Sequence, residues 1–175
     1  MAEILLARHC KAFVNVNDLA FGNKESPLTT EGMMQAVEQR QVSRSDYGIV
    51  PEEYSERVLC SEFVRPYQTA IIAGFDPEFI DRDPILNEAN VEKLSMNGVA
   101  VLLKHARENW ALDNALRDAE VFLDRVRDGY YSHKIYYTHA MKIASICMVH
   151  GDPGIEFDPK RGYAPLQGGI VRLIV

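Results

Sequence analysis

Residues 3–10 read Glu3-Ile4-Leu5-Leu6-Ala7-Arg8-His9-Cys10, and this stretch decides the fold. Ile4 to Ala7 are apolar without a break, and charged residues bound the run on both sides. A short unbroken apolar run is what a strand shows when both its faces are covered; a half-exposed strand alternates. Arg8 and His9 follow at once, so a guanidinium and an imidazole stand at the carboxyl end of a buried strand. In open α/β sheets that is the end where ligands bind.

The rest of the chain extends the pattern. Arg57–Cys60 and Lys134–Thr138 read as strands, Phe79–Asp81 as a short one, and Ile170–Val175 as a terminal strand opened by Gly168-Gly169. Thr29 or Thr30 caps a helix that runs through Met33, Met34, Ala36 and Val37 toward Arg44. Ser61 is placed to cap a helix with Pro66 in its first turn and Thr69–Ile72 beyond. Asn90–Asp128 is helical in pattern, with Leu116, Ala119, Phe122, Leu123 and Val126 at helix spacing. Ala140–His150 is a further helix, and Ala12–Leu28 reads as a loop. Strands alternating with helices predict an α/β fold, a three-layer α/β/α sandwich around a mainly parallel (mixed) central sheet. No repeat or linker divides the 175 residues, so 1–175 reads as one domain.

Composition excludes several function classes. The formal charge is -6, from 19 Lys+Arg against 25 Asp+Glu. A nucleic-acid binder would show an electropositive footprint, so that partner is excluded. The Ile4–Ala7 run is far short of the ~7–15 apolar residues of a secretory h-region, or the ~20 of a membrane span. Cys10, Cys60 and Cys147 are widely spaced in a chain large enough to fold without staples. They read as free thiols in a reducing compartment, and the expected location is the cytoplasm.

Chemistry gathers on one rim of the predicted sheet. Arg8 and His9 end the first strand, Ser61 and Arg65 follow the second, and His139 ends the Lys134–Thr138 strand. Glu88 follows the Phe79–Asp81 region. Two guanidiniums, two imidazoles and helix N-terminal N–H groups form a cradle for a tetrahedral anion, phosphoryl above all. Asp81, Asp83 and Glu31 are rival carboxylates to Glu88. His105, His133 and His150 read as ordinary surface or helix-end histidines. No His-x-x-x-His, Cys-x-x-Cys or acidic cluster at ligand spacing is present, and no glycine-rich P-loop. A cysteine-dependent phosphatase needs Arg six residues after its nucleophile; that position holds Val16 after Cys10 and Pro66 after Cys60.

These residues resemble the histidine phosphatase superfamily, which includes cofactor-dependent phosphoglycerate mutases, fructose-bisphosphatases and short phosphohistidine phosphatases. LLARHC (Leu5–Cys10) is similar to the family's opening strand and Arg-His-Gly motif. SPLTTEGMMQA (Ser26–Ala36) resembles its Leu-Thr-x-x-Gly-x-x-Gln-Ala helix start, and CSEFVRPYQTA (Cys60–Ala70) its Ser-x-x-x-Arg-x-x-x-Thr-Ala. ILNEAN (Ile85–Asn90) is similar to the Leu-x-Glu segment with the general acid, and YYTHAMKI (Tyr136–Ile143) to the strand ending in the second His. Two positions depart: Cys10 and Ala140 stand where the family has Gly after each His.

The resemblance implies a short phosphatase-type member. His9 would be the nucleophile and Glu88 the general acid, with Arg8, Arg65, His139 and Asn15 binding phosphate. Asn15 stands at the place of a downstream phosphate-contacting Asn, although Ala12 replaces a common Ser. No metal or other cofactor is implied. The expected partner is a small phosphorylated substrate or a phosphoprotein, with neither nucleic acid nor membrane. Two alternatives carry other functions: phosphoryl transfer of the phosphoglycerate mutase type, and a catalytically silent phosphate-binding member.

Overall fold

The Ile4–Ala7 run lies within β1 (Glu3–Arg8) of the computed structural model, which describes residues 2–16, 24–88, 110–151 and 165–175. β2 (Val58–Cys60), β3 (Ile80–Arg82), β4 (Ile135–Thr138) and β5 (Ile170–Ile174) join it in a sheet of order β3-β2-β4-β1-β5. β1 to β4 are parallel and β5 runs antiparallel beside β1. Arg8 pairs with Thr138 in the β1–β4 register, so the next residues, His9 and His139, leave the sheet side by side. Cys60 pairs with Tyr137, which brings Ser61 to the same rim.

β1, β2 and β4 each feed two apolar layers, which is why they read as runs, whereas β5 alternates buried and exposed residues. Ile4, Leu6, Leu59 and Tyr136 pack with Ala119, Phe122, Leu123 and Val126 of α4 (Trp110–Arg127) and Ile143, Ile146 and Cys147 of α5 (Ala140–His150). Leu5, Ala7, Val58, Cys60, Ile135 and Tyr137 face the other way, against Ala70 and Ala73 at the α3 side (α3, Val64–Ile72). α2 (Thr30–Tyr47) packs against α3 on that second face. The three-layer sandwich with a mainly parallel, mixed sheet is thus as expected.

Local chemistry moves several boundaries. A 3-10 turn at Pro77–Phe79, capped by Asp76 accepting from the Glu78 N–H, delays β3 by one residue. A short helix, α1 (Phe13–Val16), occupies part of the expected Ala12–Leu28 loop, and a bridge between Ala12 and Leu28 closes it. Thr29, rather than Thr30, caps α2, its hydroxyl accepting from the Gly32 N–H at 3.0 Å. Ser61 is not a helix cap: the N-cap of α3 is Phe63. The Ser61 hydroxyl accepts from the Phe63 N–H at 3.2 Å and spends its remaining capacity elsewhere. The first part of the predicted Asn90–Asp128 helical stretch lies outside the described residues, and α4 accounts for the rest.

Candidate active site

His9 is buried, and its Nδ1–H donates to its neighbour's carbonyl, Cys10 O, at 2.7 Å. That bond leaves the Nε2 lone pair free to face the site, where the Arg65 Nε–H points at it from 3.2 Å. The backbone making this arrangement is held from three directions. The Cys10 N–H donates to Thr69 Oγ1 at 3.1 Å, and Thr69 in turn bonds back to Arg65 O one helical turn earlier. The Lys11 N–H donates to Gln35 Oε1 at 2.9 Å, and Lys11 O accepts the Thr29 N–H at 3.0 Å. A Cβ on Gly32 would fall 1.9 Å from Lys11 O, so only glycine permits this approach of α2. The Leu-Thr-x-x-Gly-x-x-Gln-Ala spacing is therefore a clamp on the residues after His9.

Arg65, in the first turn of α3, serves both imidazoles. Its Nη2–H reaches His139 Nδ1 at 3.2 Å, and its guanidinium lies 4.8 Å from the Phe63 ring centroid. His139 is fully buried at the N-cap of α5, its ring 5.1 Å from that of His9 and 4.8 Å from Phe63. Glu88 Oε2 lies 3.4 Å from His139 Nδ1, while Oε1 accepts the Met141 N–H at 3.2 Å. The N-terminal turn of α5 thus holds the carboxyl group beside the second histidine.

Burial sets the protonation states. It lowers His9 well below the ordinary histidine value, and the cations of Arg65 and Arg8 push the same way against the Cys10 carbonyl. His139 is lowered well below that value too, first by burial and then by His9, Arg65, Arg8 and Lys142. Burial raises Glu88, with Arg65 and Arg8 opposing. Burial brings Arg65 down to about 10, which still leaves it charged at neutral pH. The result is two neutral imidazoles, a carboxyl group disposed to keep its proton, and a buried cation between them.

Arg8 and Asn15 each bond a backbone group. Arg8 contributes its field to His9, His139 and Glu88, and its Nη1–H donates to Pro165 O at 2.7 Å. Asn15 Oδ1 accepts the Ala12 N–H at 3.0 Å, closing the turn into α1. Cys10 is buried among Ala12, Val14, Leu28 and Ala36, its thiol pushed up to about 12 by burial, so it is no thiolate nucleophile. A Cβ on Gly168 would lie 3.2 Å from Cys10 Sγ, so the missing side chain there makes room for the cysteine. Of the expected bystanders, His133 Nε2 lies 3.1 Å from Asp81 Oδ2 and His150 Nε2 2.8 Å from Ile174 O; His105 lies outside the described residues.

Tertiary folding also assembles a group that no local spacing announces. Ligand atoms of His9, His139 and Glu88 all lie within 4.8 Å of one another, a donor set of the kind that holds a metal. Here the N–H groups of Arg65 point at the lone pairs of both imidazoles, and Arg8 adds charge of the same sign. The set fits an anion and not a divalent cation.

Sequence reasoning missed Asn87, and Lys142, which reads from the sequence as a solvated lysine that could widen the positive field at the pocket mouth, is buried. Asn87 Oδ1 accepts from Ser61 Oγ–H at 2.8 Å, joining the loop after β3 to the site. Lys142 is buried on α5, with Nζ 3.7 Å from Asp118 Oδ2 on α4. Asn87 had one available signal, its place directly before Glu88; the burial of Lys142 had none, because solvated lysines are far commoner.

A family model for the histidine phosphatase superfamily (branch 1) matches residues 4–128. The chain belongs to that superfamily. Among solved structures it resembles a phosphoserine phosphatase mutant (H9A) from Entamoeba histolytica in complex with phosphoserine, at 15% identity and TM-score 0.67, covering 99% of this chain and 91% of the other. TTHB049 from Thermus thermophilus is 19% identical with TM-score 0.64, covering 98% and 92%. A protein from Escherichia coli described as an alpha-ribazole-5'-P phosphatase is 19% identical with TM-score 0.62, covering 96% of each chain. These likenesses show the fold. No curated protein matches the chain.

Proposed function

We propose that this protein is a phosphatase that hydrolyses a phosphomonoester, on a small metabolite or a phosphorylated side chain, through a phosphohistidine on His9. The observation that carries the reading is the His9 geometry: Nδ1 is held by Cys10 O at 2.7 Å, so Nε2 faces Arg65, His139 and Glu88 as a neutral nucleophile. Nε2 attacks phosphorus in line, and the bond to the leaving oxygen breaks as Glu88 gives that oxygen its proton. Arg65, Arg8 and His139 stabilise the charge on the equatorial oxygens, with Asn15 assisting from the α1 turn. Water then attacks phosphorus, Glu88 takes its proton, and the N–P bond breaks to release phosphate.

The guanidiniums supply the charge that Mg²⁺ supplies to other phosphoryl-transfer enzymes. Membership of the superfamily and the phosphatase activities for which its structural neighbours are named support the hydrolytic reading. A net charge of -6 favours a modestly charged monophosphate over a polyanion. Three buried free cysteines support a reducing compartment such as the cytoplasm, and no described helix is long and apolar enough to cross a membrane.

Incubation with an aryl phosphate in EDTA tests the proposal. Turnover, with an acid-labile and alkali-stable phosphoenzyme, is expected. Neither turnover nor phosphoenzyme would favour a phosphate-binding member. Conversion of 3- to 2-phosphoglycerate without phosphate release would favour a mutase.

A further inference from the structure

Glu88 stands on no helix or strand: it follows Asn87, directly after the three-residue 3-10 turn Pro84–Leu86. A carboxyl group that meets the Met141 N–H at 3.2 Å and lies 3.4 Å from His139 Nδ1 needs that turn held still. Two bonds tie the turn to the sheet. The Asp83 N–H donates to Cys60 O of β2 at 2.9 Å, and Thr138 Oγ1–H of β4 donates to Leu86 O at 2.6 Å. A third tie comes from outside the sheet. Asp83 caps the turn, its Oδ1 accepting the Ile85 N–H at 2.8 Å, and its Oδ2 accepts the Tyr131 O–H at 2.6 Å. Tyr131 lies buried between α4 and β4, its ring 6.0 Å from that of Phe122. Its oxygen accepts the Arg125 Nη1–H, from the last turn of α4, at 3.0 Å. Burial pushes the phenol up to about 12, so its proton is in place for Asp83 throughout the neutral range.

We propose that Tyr131 and Asp83 are positioning residues for Glu88: the phenol pins one oxygen of Asp83, the other oxygen sets the turn, and the turn aims Glu88 at the N-terminus of α5. Asp83 cannot rotate without losing one of its two partners. Freed from Tyr131, the cap can swing, and the turn can pivot about its two bonds to the sheet. Glu88 lies five residues beyond Asp83, and each residue spans up to ~3.5 Å, so a small pivot becomes a large shift at the carboxyl group. A misplacement of about 1 Å can cost as much as 10²-fold in rate. The rest of the site does not hang on this tie. The backbone after His9 is held by Thr69 and Gln35, and His139 leaves β4 to cap α5. The loss therefore falls on proton donation to the leaving group, and not on the nucleophile.

The role of Glu88 as acid rests on the phosphatase reading; its placement does not, and the tests separate the two. Tyr131→Phe deletes one oxygen and keeps the ring in the core. Tyr136→Phe is the control, since it deletes a phenol oxygen from the same core whose bond goes to His133 O, at 2.6 Å, and not to the turn. With an alkyl phosphate, kcat/KM will fall about tenfold in Tyr131→Phe, whereas nitrophenyl phosphate, whose leaving group needs no proton, will change by less than about twofold. Tyr136→Phe will leave the ratio of the two esters where it is. In a Glu88→Gln background, Tyr131→Phe will cost the alkyl ester nothing more. ¹³C NMR of the Glu88 carboxyl group reads placement without turnover. Burial raises Glu88 against Arg65, Arg8, the Met141 N–H and Lys142, so a carboxyl group loosened from its pocket will titrate lower, toward the ordinary carboxylate value. That shift is expected in Tyr131→Phe and not in Tyr136→Phe. Equal losses on the two esters in Tyr131→Phe would overturn the proposal, as would an unmoved Glu88 titration. A wild type that turns over neither ester, with the Glu88 titration displaced in Tyr131→Phe, would sink the phosphatase reading and uphold the positioning role.

Discussion

Arg57, Asp81 and His133 at the β3 edge, and Arg65, Glu88, His9 and His139 at the strand ends, use the same side-chain chemistry in two settings. At the edge, Arg57 grips Asp81 with two N–H donors, and His133 adds a third contact at 3.1 Å. Water reaches both members of the pair, whose side chains are 52% and 35% exposed. The Arg57 hydrogen bonds are the main reason that Asp81 is lowered to about 2. In the interior, Arg65 is 2% exposed, and every shift opposes charge: the histidines and Arg65 are lowered, and Glu88 is raised. Desolvation, not residue type, separates an ordinary ion pair from a group of poised acids, bases and nucleophiles.

Four substitutions test that contrast. The largest effect is expected at His9: His9→Ala should reduce phosphate release to background and abolish the phosphoenzyme, since the N–P bond has no other donor at that place. Residual turnover by a pure sample would remove His9 as nucleophile. Glu88→Gln will slow an alkyl phosphate by about 10²–10⁴-fold but nitrophenyl phosphate much less, because a good leaving group needs no proton. Equal losses on the two esters would show that Glu88 is not the acid.

Arg65→Ala is expected to cost about 10²–10³ in kcat/KM through lost stabilisation of the phosphoryl oxygens. It carries a second signature, in pH. Burial and the Arg65 cation both hold His9 down, so removing the cation raises its pKa. His9 must be neutral to attack, and the acid limb of kcat/KM should therefore move to higher pH. An unmoved limb would mean that burial alone sets the His9 state. The smallest effect belongs to the edge: Asp81→Asn should leave catalysis unchanged and lower the urea midpoint only slightly at pH 7. Asp81 is depressed in the folded state, so its stabilisation is present above the usual carboxylate value. It is lost as pH falls toward about 2, where wild type and variant should converge.

Much of this was legible in the chain because strand ends are legible. A buried apolar run followed at once by Arg8-His9, or ended by His139, names both the strand and the rim it points to. Arg65 was readable from its place in the first turn after β2. Ser61 was misread as a helix cap, since a serine between a strand and a helix ordinarily spends its oxygen on helix N–H groups. Here a histidine and an asparagine distant in sequence take up its remaining capacity. α1 escaped notice because four residues carry no helical period. The strand pattern puts Glu88 on the rim beside the rival carboxylates Asp81, Asp83 and Glu31, and the resemblance gives it the part of the acid; Asn87 carries no signal beyond its place directly before Glu88.

The sequence by itself determined the architecture, the order of the strands along the chain, and the residue types available for phosphate chemistry. Those follow from local patterns: apolar runs, caps, and glycine where a backbone must approach. Only the tertiary structure decided which groups are charged and which nitrogen carries the proton. Those properties depend on burial and on partners tens of residues away: Cys10 O and Arg65 for His9; Ser61, Arg65 and Glu88 for His139. Protonation is a property of the assembled environment, and no stretch of one chain contains it.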